Sequence, residues 1–394
     1  MPEETTDAAE SGVESIPAPE PESGALEVWH ALLLRMAGAV PDDLISEARV
    51  WLADGQQADV AQALGFAALT NRVPVSAADA AQLISEVVAD GQDADALADL
   101  EILDETDVLP MPWVFSPVPI ESSESVDRAP VILDLTTDPA ALAELDEVDR
   151  AAITAAEADP QVSALWRAWR APVDGSRWPA ARRIFIVTVP AEADTDLVQV
   201  TARLQEALVA AGEESPQVEV CREERPVPVY QGTAVAHAAL LWAREAPVPI
   251  QLARVFDSVD PETGPSFDSD HPRIDDREEI ERLLEYLDGA LPVLTSSATM
   301  ADIIDPAHPD VVPLTFRTDG EWIWTDTVSY YLEQHSIAPD PDLLEHVRAS
   351  GPLPPSVSEV ALHRVLSFLQ RPDDSEEVWV VPETAAPGGQ SVSV

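Results

Sequence analysis

I-F-I-V-T-V (184–189), then D-L-V-Q-V-T-A-R-L-Q-E-A-L-V-A-A-G (196–212) and Q-V-E-V-C (217–221), is the passage that decides the fold class. The first run is continuously apolar and rich in β-branched residues, which suits a strand buried on both faces. Asp196 is placed to cap a helix whose Val200, Leu204, Ala207 and Leu208 keep one face apolar, and Gly212 ends it. A strand, a helix and a second strand at this spacing predict a parallel pair joined by a crossover. Working outward, Val131–Leu135 reads as a strand and Asp138–Ala158 as one helix with Pro139 in its first turn. A helix over Thr233–Trp242 and a strand over Ile250–Phe256 complete an α/β unit of 131–256.

On the C-terminal side, V-V-P-L-T-F-R-T-D-G-E-W-I-W-T-D-T-V-S-Y-Y-L (311–332) predicts a β-hairpin with a type I′ turn at Asp319-Gly320. Leu314, Phe316, Trp322 and Trp324 are expected on one face. A helix then starts at Thr325 or Asp326, with Val328, Tyr331, Leu332 and His335 in helical register. Arg277–Leu287 reads as a helix, Leu291–Thr295 as a strand, and Pro341 and Ser356–Leu369 mark two further helices. With Val378–Val381 as a closing edge strand, these elements make an α+β module of 257–382.

On the N-terminal side, four amphipathic segments between residues 24 and 100 predict a helical bundle. Residues 1–23 carry seven carboxylates and no Arg, and read as a disordered acidic tail. Residues 101–130 read as an acidic, Pro-rich linker, and 383–394 as a second tail. The fold class is therefore α+β, with an N-terminal helical bundle followed by mixed α/β layers.

Charge narrows the function. The 394 residues hold 73 Asp and Glu against 22 cations, for a net charge of −51. Every cation is Arg, since the sequence has no Lys, and that removes Schiff-base and P-loop chemistry. Such acidity opposes binding to nucleic-acid phosphates and to anionic membranes, and favours a basic protein partner or a strongly solvated surface. The single cysteine, Cys221, excludes an internal disulfide. The absence of a signal-like start and of an 18-residue apolar run predicts a cytoplasmic protein.

One stretch is locally basic. W-R-A-W-R-A-P-V-D-G-S-R-W-P-A-A-R-R (166–183) holds five of the Arg and three of the ten Trp. Arg stacks on Trp and pairs with carboxylate or phosphate, so Arg167, Arg170, Arg177, Arg183, Trp166 and Trp169 are candidates for an anion site. The competing reading docks these cations on the protein's own acids. Seven scattered histidines show no metal-site spacing, the acidic run 257–270 departs from a Ca²⁺ loop, and no catalytic motif is present, so no metal or cofactor is expected. His335 and His346 form a zinc pair only if their helices bring them together.

The pattern V-P-L-T-F-R-T-D-G-E-W-I-W (312–324), Y-Y-L (330–332) and P-D-P-D-L-L-E-H-V (339–347) resembles a C-terminal module of uncharacterised actinobacterial proteins. That likeness covers about 290–370; P-V-Y-Q (228–231) and A-L-L-W (239–242) resemble the same family more weakly. The resemblance implies an accessory or immunity-type partner of secreted toxins, and carries no catalytic residue with it. The resulting expectation is a non-enzymatic, immunity- or antitoxin-like protein. It would use Trp322, Trp324, Tyr330, Tyr331, Arg317 and Asp319 to hold a basic partner. The alternatives are a regulatory or scaffold component, and an enzyme acting on an anionic small molecule at the Arg/Trp stretch.

Overall fold

A computed structural model describes residues 23–103, 111–120, 130–176, 178–192 and 194–370. They divide into two compact units, Met1–Thr106 with Asp196–Ala202, and Asp107–Thr195 with Arg203–Val394. The fold is α+β, with helices first and sheets after.

The first unit is helical: α1 (Ser23–Met36), α2 (Asp42–Ala53), α3 (Gln57–Asn71) and α4 (Ala77–Ala89), followed by a 3₁₀ turn at Asp95–Asp99. Their inward positions form one apolar core containing Leu32, Leu33, Ile45, Leu64 and Leu83. Ser76 caps α4 by accepting the Asp79 amide at 3.0 Å, and the Asp79 carboxylate pairs with Arg35.

The second unit holds a six-stranded sheet. Its strands are β1 (Trp113–Ser116), β2 (Leu133–Asp134), β3 (Ala164–Pro172), β4 (Arg182–Val189), β5 (Gln217–Arg222) and β6 (Ala239–Ala243). They run in the order β2-β6-β3-β4-β5, with β1 also pairing β3. β4 and β5 are parallel in register Ile184↔Gln217 to Val189↔Arg222. The connecting helix over Leu197–Ala210 starts after Asp196, whose carboxylate accepts the amides of Val198 and Gln199. The order of helices is α5 (Pro139–Ala143), α6 (Glu147–Ala158), α7 (Leu197–Ala210) and α8 (Val229–Ala236).

Several expectations are corrected here. The single helix over Asp138–Ala158 is two, because Asp146 accepts the Asp149 amide and so caps a new start. The helix expected over Thr233–Trp242 ends at Ala236, and Ala239–Ala243 is strand β6, its Leu240 paired with Trp166 of β3. Within the expected linker, Trp113–Ser116 pairs antiparallel with Trp169–Pro172, so flanking prolines bound a strand rather than mark a loop. The Arg/Trp stretch supplies the middle strand of the sheet: β3 runs antiparallel to both β4 and β6.

A second, four-stranded sheet has the order β10-β13-β14-β7, built from β7 (Gln251–Leu252), β10 (Leu291–Leu294), β13 (Phe316–Thr318) and β14 (Trp322–Thr325). Two small ladders flank it, β8 (Ser258–Asp260) with β9 (Gly264–Ser266), and β11 (Thr299–Met300) with β12 (Val312–Pro313). Helices α9 (Arg277–Gly289), α10 (Asp326–His335), α11 (Pro341–Ser350) and α12 (Glu359–Leu369) complete the described chain. The expected strand at Val378–Val381 and both expected tails lie outside the described residues.

The described residues of the predicted units 131–256 and 257–382 fall within one compact unit, apart from Asp196–Ala202, which group with the N-terminal helices. Helix α12, expected with the C-terminal module, lies instead on β2 and β6: Ser367 Oγ accepts the Asp134 amide at 2.9 Å, and His363 Nε2 donates to Leu133 O at 2.7 Å.

Candidate functional site

Alternation along β3 sends Trp166 and Arg170 to one face of the sheet, and Arg167 and Trp169 to the other. On the first face the Trp166 indole N–H donates to Nδ1 of His363 at 3.1 Å. Since Nε2 of the same ring donates to a carbonyl, the imidazole is neutral with its proton on Nε2, and burial pushes its pKa down to about 4. Arg170 is 2% exposed, lies over the Trp113 ring at 4.0 Å and donates to Tyr230 Oη at 2.9 Å.

On the opposite face Arg167 pairs with Asp149 of α6 and donates to Pro117 O at 2.7 Å. Arg183 donates to Asp146 at 2.6 Å and Asp149 at 2.9 Å, with its guanidinium 4.8 Å from the Trp169 ring centre. The hydrogen bond from Arg183 holds Asp146 at a pKa of about 2, against the opposing effect of burial. The anions that Arg167 and Arg183 hold are therefore the protein's own carboxylates, and the expected anion site is corrected to internal packing. Arg177 lies outside the described residues.

The hairpin residues are also brought inward. Trp322, Trp324 and Tyr331 are 5%, 0% and 1% exposed, and the two tryptophans pack with Tyr286, Leu287, Val328 and Leu332. These three aromatics form core, which removes them as partner anchors. Tyr330 is half-buried and donates to Asp302 at 3.1 Å. Arg317 donates to Asp326 at 2.5 Å and to the carbonyls of Asp288 and Ala290, so it ties β13 to α9 and α10 rather than facing a partner.

Register corrects the expected face and turn. Phe316 pairs with Thr325 and Arg317 with Trp324, so Phe316 and Trp324 point to opposite faces of the hairpin. Thr318 pairs with Ile323, leaving four residues in the turn, and only Gly320 has a positive φ, +98°. A type I′ turn requires two. What replaces it is a side-chain turn: Asp319 Oδ1 accepts the amides of Glu321 at 3.0 Å and Trp322 at 2.9 Å.

Asp319 is 5% exposed and its second oxygen accepts from Tyr286 Oη at 2.8 Å and His346 Nε2 at 2.6 Å. Burial raises the Tyr286 pKa, so the phenol stays a donor. Ser350 Oγ lies 3.4 Å from the same His346 nitrogen and bonds to the His346 carbonyl at 2.8 Å. Carboxylate and hydroxyl thus share one side of the ring, an arrangement that does not relay a proton from Ser to Asp.

His335 goes to a different acid. Its Nε2 donates to Asp302 Oδ2 at 2.6 Å. Burial works to raise the Asp302 pKa, but bonds from His335, the Ile304 and Asp305 amides and Tyr330 outweigh it and hold the carboxyl below its ordinary value. His335 and His346 therefore do not form a zinc pair, and among the described residues no cluster of His, Cys, Asp and Glu is arranged to hold a metal ion.

Above the Asp319 turn opens a cleft of about 200 Å³, where the β6–β7 connection, the turn and the start of α12 converge. Glu245, Glu321, Ser356 and Ser358 supply its polar groups, and Val248, Ile250, Val357 and Ala361 its apolar wall. Ser358 Oγ donates to Glu245 at 2.8 Å, and Arg364 beneath donates to the carbonyls of Ala246 and Glu245. Of the expected site residues that lie among the described ones, only Asp319 lines this cleft. The proline-rich A-P-V-P-I (246–250) and G-P-L-P-P-S (351–356) are the sequence signals that could have marked its rims.

Comparison of the chain with protein-family models, with curated proteins and with solved structures finds no match. No helix of the described residues is long and apolar enough to cross a membrane.

Proposed function

We propose that this is a non-enzymatic, cytoplasmic protein-binding protein, immunity- or antitoxin-like, whose acidic surface occludes a basic partner. The observation that carries the reading is where the charges go. Arg35, Arg167, Arg183, Arg203, Arg254 and Arg317 each pair with an acid of the same chain. Between Asp257 and Asp288, by contrast, twelve carboxylates stand against three Arg. Most of them are exposed, on the β8–β9 ladder and the outer side of α9. Like charge at that density attracts a cationic surface, speeds encounter, and loses its pull as salt screens it.

The test is capture from the source organism's lysate and secretome at low and high salt, followed by titration of the captured protein. A basic partner is expected, with affinity falling steeply with NaCl. Reversing Glu278, Glu281 and Glu285 to Arg should weaken it by about tenfold or more, on the scale of steering and close charge pairs. Association that is indifferent to salt and to this reversal would remove the proposal.

A further inference from the structure

The cleft above Asp319 has properties that the general acidity does not explain. Its volume of about 200 Å³ is below the roughly 300–1,000 Å³ of pockets that enclose whole small molecules, and suits one long side chain. The cleft is also preformed. Pro247 and Pro249 stiffen one rim, Pro352, Pro354 and Pro355 the other, and the four hydrogen bonds on Asp319 fix the turn between them. At Gly320 a Cβ would stand 3.4 Å from the Ala361 Cβ, so the turn closes directly against α12.

The apolar wall of Val248, Ile250 and Val357 can cover a methylene stem. Its charged groups select the head. Glu321 is exposed and has no ion-pair partner among the described residues. Glu245 accepts from Ser358 on one oxygen and pairs with Arg364 at 3.5 Å through the other, and its carboxylate stays half-exposed. Asp319 is saturated, and the Arg364 guanidinium, 5% exposed, also donates to the carbonyls of Ala246 and Glu245, so Glu321 is the freer of the two carboxylates and Glu245 acts through its exposed side. A cleft with an apolar wall and two carboxylates in its lining is complementary to an arginine or lysine side chain.

Building on the basic-partner reading, we infer that this cleft is the socket for one arginine or lysine side chain of that partner, held by Glu321 and Glu245. The socket gives register to an attraction that is otherwise diffuse.

The experiment uses the full chain, isotope-labelled, with the Gly320 and Glu321 amides as reporters. The probes are N-acetyl-arginine methylamide and its neutral isostere N-acetyl-citrulline methylamide. The arginine compound should shift both amides, and the citrulline compound should not. In the Glu245→Gln/Glu321→Gln variant the shifts should vanish, and binding of a labelled oligo-arginine peptide should fall about tenfold, the scale of a charge-assisted contact.

Ala361→Leu, which narrows the slot without altering charge, should also abolish the shifts. Equal shifts from citrulline, or shifts confined to residues 257–288, would overturn the socket. If oligo-arginine binds wild type and the double variant equally, the socket falls while the acidic-surface reading stands. If the oligo-arginine peptide fails to bind even at low salt, both fall.

Discussion

At the scale of single residues, the chain spends its polar groups on holding itself together. His363 shows what this costs in acid. Unfolded, an imidazole titrates near 6.5, whereas the folded ring, buried between Trp166 and Leu133, titrates at about 4. Between those values the unfolded chain takes up a proton that the folded one refuses, so stability is complete above pH 6.5 and falls as pH drops towards 4. The difference corresponds to about 3 kcal/mol at the acid end. Urea denaturation across that window should show the decline, while the His363 ring resonances of the folded protein stay those of the neutral form. Asp146, whose carboxyl Arg183 holds at about 2, extends the loss below pH 3.8 in the same direction. Little of this was legible in the sequence. A histidine within a helical run carries no sign of the tryptophan 197 positions earlier that it meets. The Asp319-Gly320 pair did announce a turn, but not that the aspartate would be buried and supply the turn's acceptor itself.

Among the elements, those with a strong local pattern were readable: the β4-α7-β5 crossover, the α1–α4 helices and α9 follow from apolar period and caps. Those whose identity depends on neighbours were not. β3 carries two Trp-Arg pairs, and the acids of α6 on one face and the helices on the other are what accommodate such residues in the middle of a sheet. β1 is short and proline-flanked, and becomes a strand because a partner is waiting, whereas β7 lies within the strand expected over 250–256 but is only two residues long. Helix α12 carries the clearest consequence at this scale. It supplies the Trp166 acceptor, the Asp134 amide's acceptor and the donors to Glu245 and Ala246. A chain ending at Val357 should therefore lose fixed packing in the six-stranded sheet, read as weakened near-UV circular dichroism of its tryptophans with far-UV helicity of the N-terminal unit retained. An unchanged tryptophan signature would show that α12 only decorates the sheet.

For the whole molecule, a net charge of −51 makes compactness itself a matter of ionic strength. Screening relieves self-repulsion, so raising NaCl from 20 to 500 mM, roughly from a 20 Å to a 4 Å screening length, should raise the calorimetric melting temperature. The same change should weaken binding to a basic partner, and the opposite signs separate folding from association. The position of α12 has a further consequence for synthesis. The sheet is completed by residues 359–369 of a 394-residue chain, so β2, β3 and β6 leave the ribosome long before the helix that covers them. Until residues 359–369 are made, β2 and β6 lack the helix that packs on them, so this end of the sheet should reach its final packing only after synthesis of α12.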